Sequence, residues 1–121
     1  MIDHLGINVS DYKLSKAFYV AALSPLGYKV LAEYGDSGGL GAEGKADFWI
    51  SEGKANKPHV HVAFQCARRA QVDKFYAAAL KAGGKDNGPP GIREDYAPTY
   101  YAAFVYDPDG HNIEAVCHAP K

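Results

Sequence analysis

Residues 2–9 alternate in character: Leu5, Ile7 and Val9 are apolar, with His4, Gly6 and Asn8 between them. In an extended segment the side-chain period of two puts the apolar set on one face and the other set on the opposite face. Residues 57–66 repeat the pattern, with Val60, Val62, Phe64 and Cys66 on one side and His59, His61, Ala63 and Gln65 on the other. A third run, 111–118, sets Ile113, Ala115 and Cys117 against Asn112, Glu114, Val116 and His118. After each of the first two runs the spacing changes. Leu14, Ala17, Phe18 and Ala21 follow the i, i+3, i+4, i+7 rule of one helix stripe, as do Val72, Phe75, Tyr76 and Ala79. Ser10 or Asp11 is placed to cap the first helix, Pro25 and Gly27 to end it, and Gly83 with Gly84 to end the second. Further strands are expected at about 28–34, 38–42, 46–51 and 100–106.

The two halves are related. A shift of 57 positions (61 − 4 = 57) lays His4 on His61, Phe18-Tyr19 on Phe75-Tyr76, Ala21-Ala22-Leu23 on Ala78-Ala79-Leu80 and Gly27 on Gly84. That is seven identities over 24 ungapped positions, where unrelated sequence gives one or two. Two copies of a strand-helix-strands unit follow, an α+β architecture in a single domain over 1–121, with one module at about 1–53 and the other at about 58–118. The stretch "DNGPPGIREDYAP", rich in turn-forming residues, is expected to be a loop over the site. "GDSGGLGAEGKAD" lacks the strand-to-helix context of a phosphate loop and is expected to be a flexible hairpin connection.

Composition narrows the partners. Thirteen basic and fourteen acidic residues leave a net charge of −1, so neither a phosphate backbone nor an anionic membrane is a favoured partner. No apolar stretch reaches the roughly 18 residues that span a bilayer, and no signal-like start is present, so a cytoplasmic location is expected. Cys66 and Cys117 allow one disulfide at most, and both fall in the apolar sets, where small core residues are expected.

The faces turned away from the helices carry the chemistry. His4, His61 and Glu114 each stand on such a face of a separate strand. Two imidazoles and a carboxylate are a ligand set for mid-row divalent metals, with coordination positions left over for water or substrate. The same residues also read as two strand imidazoles hydrogen-bonded to a carboxylate. His59 shares the face of His61 two residues away and could approach the same hollow, whereas His111 and His118 are expected to be solvated. Tyr96, Tyr100 and Tyr101 lie in or beside the Pro/Gly-rich stretch, where a phenol suits the wall of a pocket for a small oxygenated molecule, and Arg93 could pair with a carboxylate or phosphate.

At these residues the chain resembles the vicinal oxygen chelate superfamily, which includes glyoxalase I, extradiol dioxygenases and bleomycin and fosfomycin resistance proteins. "IDHLGINVSD" with "KAFYVAALSPLGYKV" resembles that family's opening module, "HVHVAFQ" with "VDKFYAAALKAGG" its second, and "FVYDPDGHNIEAV" its closing hairpin. The resemblance implies two βαβββ modules whose curved mixed sheets form a metal-binding cup, with His4, His61 and Glu114 as ligands of zinc, iron(II), manganese or nickel. It implies an enzyme of lyase, isomerase or ring-opening dioxygenase type acting on a small substrate with adjacent oxygens. Glu114 and Tyr101 would serve catalysis, Tyr96, Tyr100, Arg93 and Phe48 would contact substrate, and a homodimer is expected by analogy. Glyoxalase-like members take a fourth ligand from the last strand of the first module, where "KADFWISEG" offers Phe48 or Trp49 instead. A sequestering protein of the bleomycin-resistance type, without catalysis, is the alternative.

Overall fold

The computed structural model describes residues 1–121. Module one runs β1 (Leu5–Val9), α1 (Tyr12–Leu23), a 3-10 turn (Ser24–Leu26), β2 (Lys29–Tyr34), β3 (Ser37–Ala42) and β4 (Lys45–Glu52). Module two runs β5 (His61–Gln65), α2 (Arg69–Lys81), β6 (Lys85–Ile92), β7 (Tyr101–Tyr106) and β8 (Asn112–Cys117). The sheets are built in the same order, β1-β4-β3-β2 and β5-β8-β7-β6. In each, the first strand pairs in parallel with the last and the remaining pairs are antiparallel. The duplication read from the 57-residue shift is therefore a duplication of topology, and the sheets are mixed, open and one per module.

Asp11 caps α1 by accepting from the Leu14 amide, and Gly27 ends the following turn at φ 86°, a conformation a side chain disfavours. The buried stripe of α1 is Tyr12, Ser15, Phe18, Tyr19, Ala22 and Leu23. It is rotated by about one residue from the expected stripe, which leaves Leu14 54% exposed. Two phenols make the difference. Tyr12 and Tyr19 bury their rings because Glu33 and Asp107 accept from their hydroxyls, so tyrosines that a hydropathy pattern scores as polar behave as core. In α2 the expected Val72, Phe75 and Ala79 are buried. One cluster of 21 residues, drawn from both modules, forms the core, and the edge-to-face contact of Phe48 with Phe64 crosses between them. Both cysteines are free and buried, and burial pushes the Cys66 thiol up to about 11.

Two expectations are corrected. The Gly-rich stretch after β2 is not a flexible connection: the strand expected at 38–42 lies inside it as β3, and its glycines make room for neighbours. A Cβ on Gly38 would meet the Tyr12 hydroxyl at 2.2 Å, and one on Gly39 the Trp49 ring at 2.7 Å. Likewise "KDNGPPGI" is a strand, β6, despite its prolines. It lies at the edge of its sheet and pairs with β7 through two register shifts, the one setting in which prolines cost no ladder bond.

Besides the shared core, one turn ties the modules together through hydrogen bonds. Asp107 to Gly110 connects β7 to β8, and Asp107, 4% exposed, accepts from the amides of Asp109 and His111 and, at 2.5 Å, from the Tyr19 hydroxyl of α1. Burial, with Asp107 close by, holds the Tyr19 phenol well above its ordinary pKa, so it stays a donor. His111, expected in solvent, is fully buried: Nδ1 accepts from the Val60 amide at 3.1 Å and Nε2 faces the Asn8 carbonyl at 3.3 Å. Asp109 accepts from both the amide and the hydroxyl of Ser10. Tyr19→Phe is expected to lower unfolding free energy by about 1–3 kcal/mol, because it leaves a buried carboxylate oxygen without a donor. Leu14→Ala, on the exposed side of the same helix, should change it by less than about 0.5 kcal/mol; urea denaturation of the two variants gives the comparison.

Candidate functional site

Glu114 sits on β8, an interior strand, opposite Ala63 of β5 and Phe104 of β7. Its face therefore carries His61, Ala63, Phe104 and, by strand parity from Ala102, Tyr100. The Glu114 side chain is 1% exposed. His61 Nε2 lies 2.8 Å from Oε1, and the Tyr100 hydroxyl donates to Oε2. Ala63, directly beside Glu114, is small enough for the imidazole of His61 to reach the carboxylate from two residues along the strand. Burial first, and then the bond to Glu114, raises the Tyr100 phenol to about 12, so it remains a donor at neutral pH. Both carboxylate oxygens are thus engaged, one by a fixed phenol and one by an imidazole that is 53% exposed.

Other expected site residues are placed as follows. Tyr96 packs edge-on to the Tyr100 ring at 5.0 Å and His118 does so from another side at 5.2 Å. Arg93 lies over the Phe104 ring, its Cζ 5.3 Å from the centroid. Tyr101 points the other way: its hydroxyl donates to Asp73 on α2 and Arg69 stacks on its ring. Adjacent strand residues face opposite sides, so only one of Tyr100 and Tyr101 can meet Glu114, and it is Tyr100. Phe48 is paired with Leu5 across the parallel β1/β4 ladder and shares its helix-facing side, 1% exposed. Trp49 and Gly6 hold the opposite side. A register shift opposite Gly41 makes Asp47 the extra residue of a bulge, and the Asp47 carboxylate accepts from the Tyr28 hydroxyl at 2.7 Å.

His4 is not brought to Glu114 within the chain. It is exposed, and its Nδ1 contacts Asp3 at 2.7 Å. His59 also lies elsewhere, packed edge-on to His111 at 5.4 Å and against Gly110. The group of acids and imidazoles whose ligand atoms do fall within 4.8 Å of one another is Asp107, Asp109 and His111. Its spacing could hold a cation, but its atoms are taken: the Asp107 oxygens by three donors, the Asp109 carboxylate by Ser10, and His111 Nδ1 by the Val60 amide. That cluster was not anticipated as a unit. The sequence signal for it is the compact Asp-Pro-Asp-Gly-His turn itself.

A divalent ion fits the His61–Glu114 pair. Two ligands bound at about 2.1 Å and a right angle sit about 3 Å apart, close to the observed separation of Nε2 and Oε1. No helix is long and apolar enough to cross a membrane.

The duplicated sheets agree with what known proteins of similar sequence and structure show. The sequence model of the Glyoxalase/Bleomycin resistance protein/Dioxygenase superfamily matches residues 1–115, and the chain belongs to that superfamily. A glyoxalase/bleomycin resistance protein from Albidiferax ferrireducens T118 superposes with TM-score 0.81 at 28% identity, covering 95% of this chain and 97% of that one. A glyoxalase/bleomycin resistance protein/dioxygenase domain from Frankia sp. EAN1pec gives 0.74 at 19% identity, covering 97% and 96%. The fosfomycin resistance protein FosX from Listeria monocytogenes, complexed with Mn(II) and 1S,2S-dihydroxypropylphosphonic acid, gives 0.71 at 20% identity, covering 96% and 88%. A search of curated protein sequences finds no match.

Tyr100→Phe removes the donor to a buried carboxylate oxygen and is expected to cost about 1–3 kcal/mol. Tyr101→Phe, whose hydroxyl bond lies at the surface, should cost about 0.5 kcal/mol or less; thermal or urea melts of both variants rank them.

Proposed function

We propose that the protein is a metal-dependent enzyme of the glyoxalase/dioxygenase type, acting on a small substrate with two neighbouring oxygens, and that it works as a homodimer. The observation that carries this is the Glu114 carboxylate, buried, with a half-exposed imidazole as the partner of one of its oxygens. A carboxylate this far removed from water is unfavourable unless a positive partner or several donors meet it. Tyr100 meets one oxygen permanently, leaving the other for His61 and an ion. His61 and Glu114 would hold a divalent metal, which when bound would polarise the substrate oxygens as a Lewis acid and stabilise the negative charge that develops on them. The chain's own residues would orient the reaction: Tyr100 fixes one Glu114 oxygen, Phe104 lies opposite Glu114 across the ladder, Tyr96 packs on Tyr100, and His61 keeps half its ring exposed. Zinc, iron(II), manganese and nickel all suit such donors.

The dimer follows from what each sheet leaves open. β1 exposes Gly6 and Asn8 beside His4, and β5 exposes His61, Ala63 and Gln65, so the two exposed faces belong to separate four-stranded sheets. A two-fold axis would lay the His4 face of one copy over the Glu114 face of its partner and make two identical sites. His4 then completes the ligand set in trans. FosX holds Mn(II) in its structure, which fits this reading of a related fold.

Two measurements decide it. Purified protein is expected to bind one divalent ion per chain with a gain in melting temperature, and His61→Ala or Glu114→Gln should abolish both. A metal-free protein whose melting temperature ignores all four ions would instead be a sequestering binder. For the shared site, His4→Ala and Glu114→Gln are each expected to bind no metal alone, whereas refolding an equal mixture should recover about a quarter of the sites, since half the dimers are mixed and each has one intact cup. No recovery would place the whole site in one chain.

A further inference from the structure

We propose that the substrate of this site is an anion whose carboxylate, phosphonate or phosphate group is received by Arg93. The inference rests on the reading of the Glu114 face as the active site. Its basis is how β6 is built. Gly88-Pro89-Pro90-Gly91 forms an arch, and the Arg93 guanidinium is seated inside it: a Cβ on Gly88 would come within 3.1 Å of Nη2, and one on Gly91 within 3.2 Å of Nη1. Nη2 donates to the Pro89 carbonyl at 2.6 Å, and the plane rests on Phe104. The two glycines thus clear the space that the guanidinium fills, and the prolines stiffen the segment that frames it.

Position ties this group to the reaction centre. Phe104 is the cross-strand neighbour of Glu114, and its ring centroid is 6.3 Å from that of His61. The amide of Arg93 donates to the Tyr100 carbonyl at 2.8 Å, so the loop that delivers the phenol to Glu114 also sets where the guanidinium stands. A guanidinium has five N–H donors, and here a single carbonyl acceptor engages it. None of the chain's ion pairs involves Arg93, and its sequence neighbours Glu94 and Asp95 leave it unpaired. Arginines free of a carboxylate are ordinary on a surface. One that is half-buried, stacked on an aromatic face and cradled by two glycines is pre-oriented, so little rotamer freedom remains to be lost when its fork meets a planar or tetrahedral oxyanion. A substrate spanning from the His61–Glu114 pair to Arg93 would present its adjacent oxygens at one end and its charge at the other.

The test is an NMR titration of the ¹⁵N-labelled full chain, as purified and again after saturation with Zn(II), using benzoate, phenylphosphonate and neutral benzamide as probes. Saturable shifts are expected at the Gly88 and Gly91 amides and the Arg93 Nε–H with one or both anions. Benzamide should bind about tenfold more weakly, and Arg93→Gln should remove the preference for the anion. Whichever anion binds more tightly identifies the group as carboxylate or phosphonate. Equal affinity for benzamide, an undiminished anion preference in Arg93→Gln, shifts that map elsewhere, or no saturable shift at all would each overturn the proposal. If Arg93→Gln loses its dispersed spectrum, Arg93→Lys substitutes: a weaker but surviving anion preference supports the proposal, and affinity equal to the wild type overturns it. Zn(II) binding, read on the His61 ring protons, reports separately on the metal site, so loss of one finding leaves the other standing.

Discussion

The buried carboxylate of Asp107 is the junction on which both modules depend. A desolvated charge in a protein core is tolerated only when its lone pairs are met, and here two backbone amides and one phenol meet them. The partners come from different parts of the chain, which gives the turn its reach. Tyr19 brings in α1, Ser10 on Asp109 brings in the exit of β1, and His111 takes the Val60 amide at the entrance to β5. The start of β8 is thereby fixed against both halves, and with it the register that sets Glu114 opposite Ala63 and Phe104.

Two carboxylates a few residues apart on the same hairpin therefore have different fates. Asp107 is enclosed and saturated by groups that cannot leave, so it holds structure together. Glu114 is as deeply buried, but one of its partners is an imidazole with half its surface in water. That asymmetry leaves an oxygen whose partner can change, which is what a ligand or base requires and a structural carboxylate does not. Tyr100 makes the asymmetry stable by holding the other oxygen, and Arg93 puts positive charge over Phe104, the cross-strand neighbour of Glu114.

Local pattern fails where a side chain's partner lies in another segment. Leu14 looked like core and is exposed, because the helix is rolled toward two tyrosines whose hydroxyls find acceptors only in the folded chain. Tyr100 and Tyr101 are indistinguishable as neighbours in sequence, and the pairing of β7 with β8 separates them onto opposite faces. On β4 the unbroken ladder with β1 sets Trp49, and not Phe48, on the face of Gly6, which neither residue's own sequence context could tell.

What the amino-acid order determined on its own is the duplication, read from the 57-residue shift, and the two helices and the faces of β1, β5 and β8, including the side on which His61 and Glu114 stand, since these rest on periodicity within segments of five to thirteen residues. Tertiary structure decided what depends on registers between segments. It paired His61 with Glu114, chose Tyr100 over Tyr101, buried His111, turned a proline-rich stretch into an edge strand that seats Arg93, and left His4 facing outward. Periodicity tells which way a side chain points from its own strand, but only the ladder between strands tells what it points at.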